Sequence, residues 1–252
     1  MKILISIVSL EEARIAVEGK ADILDIKNPH EGSLGAQFPW VLKEIVNEFK
    51  GSGILCSAAL GDLSYKPGTA ALAAFGTATC GVEYIKAGML GATNYDEAFN
   101  MMKSIVRAIR MVNKNTIVVA AGYADYMRFG GVPYKDLVNA AKDSGSDVVM
   151  VDTAIKDGKN ILDAMNLDQI KEFIDLSHDS GMYVALAGSI KKEHLEDLAR
   201  LNPDIIGIRG EVCDNEDRKS GISLEKVKEF MACARAVNPH NSSKIIRHEF
   251  VV

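Results

Sequence analysis

Short apolar runs recur along the chain, each followed by a stretch whose apolar positions fall three and four residues apart. The runs lie at 2–7 (KILISI), 22–27 (DILDIK), 53–58 (GILCSA), 83–87 (EYIKA), 116–121 (TIVVAA), 147–152 (DVVMVD), 182–187 (MYVALA) and 204–209 (DIIGIR). Between them, 97–112 places Phe99, Met102, Ile105, Val106 and Ile109 on one helical face. Residues 190–201 do the same with Leu195, Leu198 and Leu201. Eight strand–helix units in 252 residues predict an α/β fold, a TIM (β/α)8 barrel. A doubly wound open sheet is the rival. It would carry a G-x-G-x-x-G after its first strand, where this chain has the glycine-free VSLEEA. No polar linker divides the pattern, so residues 1–236 are read as one catalytic domain and 237–252 as a polar C-terminal tail.

Composition narrows the partners. The chain is 48% apolar and 25% charged with a net charge of −5, which suits a globular core and gives no basic patch for nucleic acid. No apolar run approaches a membrane span. The opening MKILISIVSLEEARIAVEG turns acidic at once and offers no small-residue cleavage site, so it reads as strand then helix rather than a secretory leader. Cys56, Cys80, Cys213 and Cys233 show no metal-finger or C-x-x-C spacing, and the five histidines do not cluster. A cytoplasmic protein without a structural metal is expected, with self-association left open.

In such a barrel the active site lies where strands end and loops begin. Strand side chains alternate, so Asp25 and Lys27 share a face about 6.6 Å apart. With Leu24 and Ile26 turned to the helices, both point into the barrel. Lys86 ends the fourth strand, Asp152 the sixth, and Lys156 follows in the loop TAIKDGK. Amines converging on one mouth suit an anionic substrate, a Schiff base, or both. A Schiff base requires a neutral amine, which burial or neighbouring cations favour and Asp25 opposes; Lys86 is the candidate to offset Asp25. The plain structural alternative is an Asp25–Lys27 ion pair filling a polar layer. Gly188 and Ser189 after strand seven, with Arg209 and Gly210 after strand eight, match the place where barrels hold phosphate. Glu211 counts against that half of the site. Asp62 follows strand three, as a helper or a turn acid. Tyr123 and Tyr126 belong to one of two glycine-bearing loops suited to closing over a substrate.

The stretches DIKNPHEGSLGAQFPW, YKPGT, EYIKAG, VVAAGYAD, DTAIKDGK and LAGSIKKEH resemble the (5-formylfuran-3-yl)methyl phosphate synthase family. These are also described as the 4-(hydroxymethyl)-2-furancarboxaldehyde phosphate synthases of methanofuran biosynthesis. The resemblance runs from residue 1 to about 235. It implies a TIM-barrel lyase that joins two glyceraldehyde 3-phosphate molecules into a furan aldehyde phosphate, releasing one phosphate and water, with no metal or cofactor. By motif, Lys27 becomes the Schiff-base lysine and Lys86 a proton acceptor, with Asp25, Asp152 and Lys156 completing the acid–base set. The alternatives are another Schiff-base aldolase or phosphosugar isomerase, or a non-catalytic phosphosugar-binding barrel.

Overall fold

A computed structural model describes residues 1–237. Eight parallel strands close in sequence order: β1 (Lys2–Ile7), β2 (Ile23–Ile26), β3 (Leu55–Asp62), β4 (Tyr84–Gly88), β5 (Ile117–Tyr123), β6 (Val148–Asp152), β7 (Tyr183–Leu186) and β8 (Ile205–Ile208). β1 pairs with β8 through Lys2↔Ile205 to Ile5↔Ile208, which leaves no open edge. Around them run α1 (Leu10–Glu18), α2 (Pro39–Glu48), α3 (Pro67–Ala78), α4 (Tyr95–Val112), α5 (Tyr134–Ser144), α6 (Ile161–Ala164), α7 (Leu167–Asp179), α8 (Leu195–Arg200) and α9 (Leu224–Val237). The (β/α)8 expectation holds. The tail lies outside the described residues, apart from Val237, which closes α9.

Period-two alternation builds two cores. Ile3, Ile5, Leu24, Ile26, Ile85, Val118 and Val149 face outward under the helices. Leu4, Ile23, Tyr84, Ile117, Val148 and Ile205 fill the barrel's interior. Each fully buried isoleucine contributes about 1.5–3 kcal/mol, so the pattern largely dictates which face each strand turns inward. Helix ends follow the polar punctuation: Ser9 caps α1, Asn94 caps α4, and Asn166 with Gln169 forms a capping box at α7.

Several element boundaries differ from the sequence reading. The helix expected over 190–201 begins as a 3-10 turn at Lys192–His194 and becomes α-helical only at Leu195. β3 runs on to Asp62, with a register irregularity between Ala59 and Asp62, because Asp62 has a task at the strand end. Its carboxylate accepts the Leu34 N–H and the Tyr123 hydroxyl. Gly88 makes room for this contact, since a Cβ there would sit 2.4 Å from the Tyr123 hydroxyl. Among the described residues no helix is long and apolar enough to cross a membrane.

Candidate active site

The inner face of β2 carries Ile23, Asp25 and Lys27 upward in turn, and the apolar filling gives way to charge at Asp25. Lys27 extends the strand by one bond, its N–H donating to Ile7 O at 3.1 Å. The chain then turns back, with the Asn28 N–H donating to Gly35 O at 2.9 Å. Glycine is required at 35, because a Cβ would approach Asn28 O to 2.1 Å. Asp62 holds this loop from β3, and the Ser33 hydroxyl donates to Thr153 O at 2.8 Å across the mouth.

The ion pair with Lys27 that alternation allowed does not form. Asp25 pairs with Lys86 instead, Nζ to Oδ2 at 2.6 Å, and Ser6 donates to the same oxygen at 2.9 Å. Asp25 is 0% and Lys86 1% exposed, which places this pair in the barrel's interior. Burial pushes the Asp25 carboxyl toward protonation, but Lys86 and Lys27 more than offset it and leave its pKa below the ordinary value. Among the described residues, Asp25 Oδ1 and the Ser57 hydroxyl on β3 are buried without a hydrogen-bond partner.

A second pair lies beside the first. Lys156 Nζ reaches Asp152 Oδ1 at 2.7 Å and the Thr153 hydroxyl at 2.9 Å. Burial raises the Asp152 pKa, yet Lys156 and Lys27 hold it well below the usual carboxylate range. Asp125, past the end of β5, anchors this loop by accepting the Ala154 and Ile155 N–H groups at 2.7 and 3.0 Å.

Lys27 lies between the pairs and belongs to neither. Its Nζ donates to the Ser33 carbonyl at 3.2 Å and forms no ion pair among the described residues. Burial lowers its pKa from 10.5 to about 7. Asp152 is the largest opposing influence, Lys86 assists the lowering, Asp25 opposes it and Lys156 assists. Desolvation, more than the neighbour Lys86, therefore offsets the acids, and a sizeable neutral fraction exists near pH 7.

All five residues line one cavity of about 320 Å³, together with Gly188, Ser189, Arg209 and Gly210. Gly207 leaves the inner face of β8 without a side chain, which keeps the cavity open there. A larger groove of about 690 Å³, near Cys56 and Glu83, lies toward the other end and holds none of these groups.

The four residues expected to hold phosphate are not equivalent. The amides of Ser189 and Ile190 meet no protein acceptor among the described residues and remain free for an anion. Arg209 does not have that freedom. Its five N–H donors go to Glu12 Oε1 and Oε2, Ser6 O, Arg218 O and Ser220 O. This corrects its expected role: the guanidinium is saturated inside the protein and ties the loop after β8 to α1. Glu211 turns aside to accept the Lys192 N–H at 3.3 Å.

The lid reading also changes at Tyr123, which is a buried β5 residue rather than a mobile hydroxyl. Burial and Asp62 raise its pKa well above the ordinary tyrosine value. Tyr126 sits in a short 3-10 turn and packs against the outer core.

Residues 3–231 match the family described as 4-HFC-P synthase. The chain belongs to that family. The (5-formylfuran-3-yl)methyl phosphate synthase of Archaeoglobus fulgidus is 51% identical over 231 residues, covering 92% of this chain and 98% of that protein. The synthase of the same name from Methanocaldococcus jannaschii is 50% identical, covering 91% and 98%. The fold is also shared at low identity. Phosphoribosyl anthranilate isomerase from Thermus thermophilus superposes with a TM-score of 0.61 at 16% identity, covering 94% of this chain and 100% of that one. KGPDC from Streptococcus mutans gives 0.63 at 11%, covering 94% and 98%. These two likenesses establish the barrel alone.

Four residues that shape this site escaped the sequence reading: Ser33, Asp125, Glu12 and Arg218. Glu12 had a signal, since Ser9 and Glu12 show the S-x-x-E spacing of a capping box, with Glu12 accepting the Val8 N–H. The other three lie in loops, and nothing in their local spacing marks them.

Proposed function

We propose that this protein condenses two molecules of glyceraldehyde 3-phosphate into (5-formylfuran-3-yl)methyl phosphate, acting as a lyase through an imine on Lys27. The observation that carries the reading is Lys27 itself: buried at the barrel mouth, bonded among the described residues only to a carbonyl, with its pKa brought to about 7. That is the state a Schiff-base amine needs. The names of relatives at about half identity over nearly the whole chain support the product.

The neutral Lys27 amine attacks C1 of one triose. Lys86 gives its proton to the carbinolamine hydroxyl, which leaves as water. The resulting iminium acidifies C2–H, and the Lys86 amine, still held by Asp25, takes that proton. The enamine then expels the C3 phosphate, and the three-carbon unit joins the second triose phosphate. Loss of further water closes and aromatises the ring. Asp152 and Lys156 serve the later proton transfers from the opposite side. The amides of Ser189 and Ile190, beside Gly188 and Gly210, grip the phosphate that is retained, while Arg209 shapes that wall. The chemistry calls for no metal or organic cofactor.

Borohydride reduction in the presence of glyceraldehyde 3-phosphate tests this directly. A reduced adduct mapped to Lys27, with an ultraviolet-absorbing furan and one phosphate per product in untreated samples, is the expected result. A fully active enzyme that never yields an adduct under these conditions overturns the imine, and a hexose bisphosphate product points to an aldolase.

A further inference from the structure

The arginines divide sharply by their company. Arg14, Arg110, Arg128, Arg200, Arg209 and Arg235 each lie against a carboxylate. Arg107 is exposed to water. Arg218, in the loop after β8, is half-buried, lines the catalytic cavity and has no carboxylate partner among the described residues. Its Nη2 donates to Gly32 O at 2.9 Å and Ser33 O at 3.3 Å, both neutral acceptors. Its Nε and Nη1 groups meet no protein acceptor among the described residues. Burial lowers its pKa, which is the mark of a cation taken from water without full compensation. Such a group is costly unless an anion completes it, and the planar guanidinium fork matches a phosphate.

Its position relative to Lys27 is specific. The Ser33 carbonyl accepts from both Lys27 Nζ, at 3.2 Å, and Arg218 Nη2. The two basic side chains are therefore joined through a single oxygen atom. In a triose phosphate four covalent bonds separate C1 from phosphorus, about 5 Å when extended. An imine at Lys27 can thus present its own phosphate to Arg218. The loop is preset for this, because Arg209 accepts no ligand and instead holds the carbonyls of Arg218 and Ser220, at 2.5 and 3.0 Å.

We propose that Arg218 receives the phosphate that departs from the triose bound to Lys27. The assignment rests on the imine chemistry proposed above. When the enamine collapses, the nitrogen lone pair forms C1=N and the C1=C2 pair moves to C2=C3. The C3–O bond breaks, with its electrons passing to the phosphate oxygen. The C2 proton has already gone to the base. The Arg218 N–H groups neutralise the charge that builds on the leaving oxygen, while the retained phosphate of the second triose occupies the Gly188–Ser189 side.

Three measurements test this on the intact enzyme. In Arg218→Gln, phosphate release is expected to fall about a hundredfold or more, and the borohydride adduct on Lys27 to keep its phosphate. Inhibition by inorganic phosphate weakens about tenfold in that variant, and Arg218→Lys recovers part of both losses by restoring the charge. Phenylglyoxal modifies Arg218 in the wild-type protein, and inorganic phosphate protects it; this arm stands even if the variants fold poorly. Wild-type phosphate release by Arg218→Gln, or labelling indifferent to phosphate, overturns the assignment while leaving the imine intact. Absence of a Lys27 adduct in the wild-type enzyme overturns both.

Discussion

Lys86 on β4 and Lys27 at the end of β2 stand two strands apart, face the same cavity and are both nearly inaccessible, yet they keep opposite company. Lys86 sits directly on Asp25, with Ser6 donating to the same carboxylate oxygen. Lys27 has one carbonyl for company and acids held slightly away by their own lysine partners. The lesson is that a barrel can keep one buried amine reactive by supplying every nearby carboxylate with a different cation. An unpaired Lys27 is thus the product of the Asp25–Lys86 and Asp152–Lys156 pairs as much as of its own burial.

The sharpest way to break the contrast is to remove the unpaired member. Lys27→Ala is expected to abolish furan formation and the borohydride adduct together, and Lys27→Arg to be equally inactive because guanidinium does not deprotonate. Measurable turnover in either variant, read by furan absorbance, would sink the assignment.

Lys86→Met attacks the paired member, and two effects separate. Stability falls by about 3–5 kcal/mol in denaturant melts, because Asp25 is left as an uncompensated buried charge. Turnover falls by about 10²–10⁴ through loss of the proton carrier. Adding Asp25→Asn to Lys86→Met should recover most of the stability and none of the turnover. If activity returns with stability, Lys86 is only structural.

The pH dependence sharpens the difference further. With Lys27 near 7, kcat/KM should drop about tenfold per pH unit below that point as the amine becomes charged. Stability carries the same signature with a definite sign. Between 7 and 10.5 the unfolded chain binds more protons at Lys27 than the folded one, so stability rises with pH across that window. Below 7 the cost of the buried ammonium is complete. Lys27→Met should therefore stabilise the fold by a few kcal/mol, on the order of the shift itself, at pH 6, with the gain fading toward pH 10.5. A gain that does not vary with pH means that Lys27 titrates normally.

Ser6→Ala probes the pair most gently. Losing its hydroxyl bond to Asp25 should cost about 1–2 kcal/mol in thermal melts, and Lys86 should keep Asp25 ionised. A larger loss of activity than of stability would show that Ser6 also sets the direction in which Lys86 moves its proton.

Much of this site was legible before any coordinates. Alternation placed Asp25 and Lys27 on the inner face, and the rule for barrel mouths gathered Lys86, Asp152, Lys156, Gly188 and Ser189 around one opening. The failures share a cause. Arg209 carried the right charge at the right strand end, but residue type does not reveal that Glu12 and three main-chain oxygens elsewhere consume all its donors. Tyr123 looked like a loop residue because β5 runs two residues beyond its apolar run. Arg218 carried no signal, since its meaning comes from a contact with Gly32 and Ser33 nearly two hundred residues away.

The sequence by itself determined the barrel, the face of each strand and the set of charges delivered to the mouth, because those follow from local periodicity and burial. Only the tertiary structure decided which charge meets which. Asp25 chose Lys86 over Lys27 because strands β1 to β4 bring Ser6 and Lys86 to its carboxylate, whereas Lys27 rises one step further to the loop carbonyl of Ser33. Electrostatic pairing falls off over a few ångströms and is reshaped by desolvation, so it is set by packing between distant segments rather than by the order of residues along any one strand.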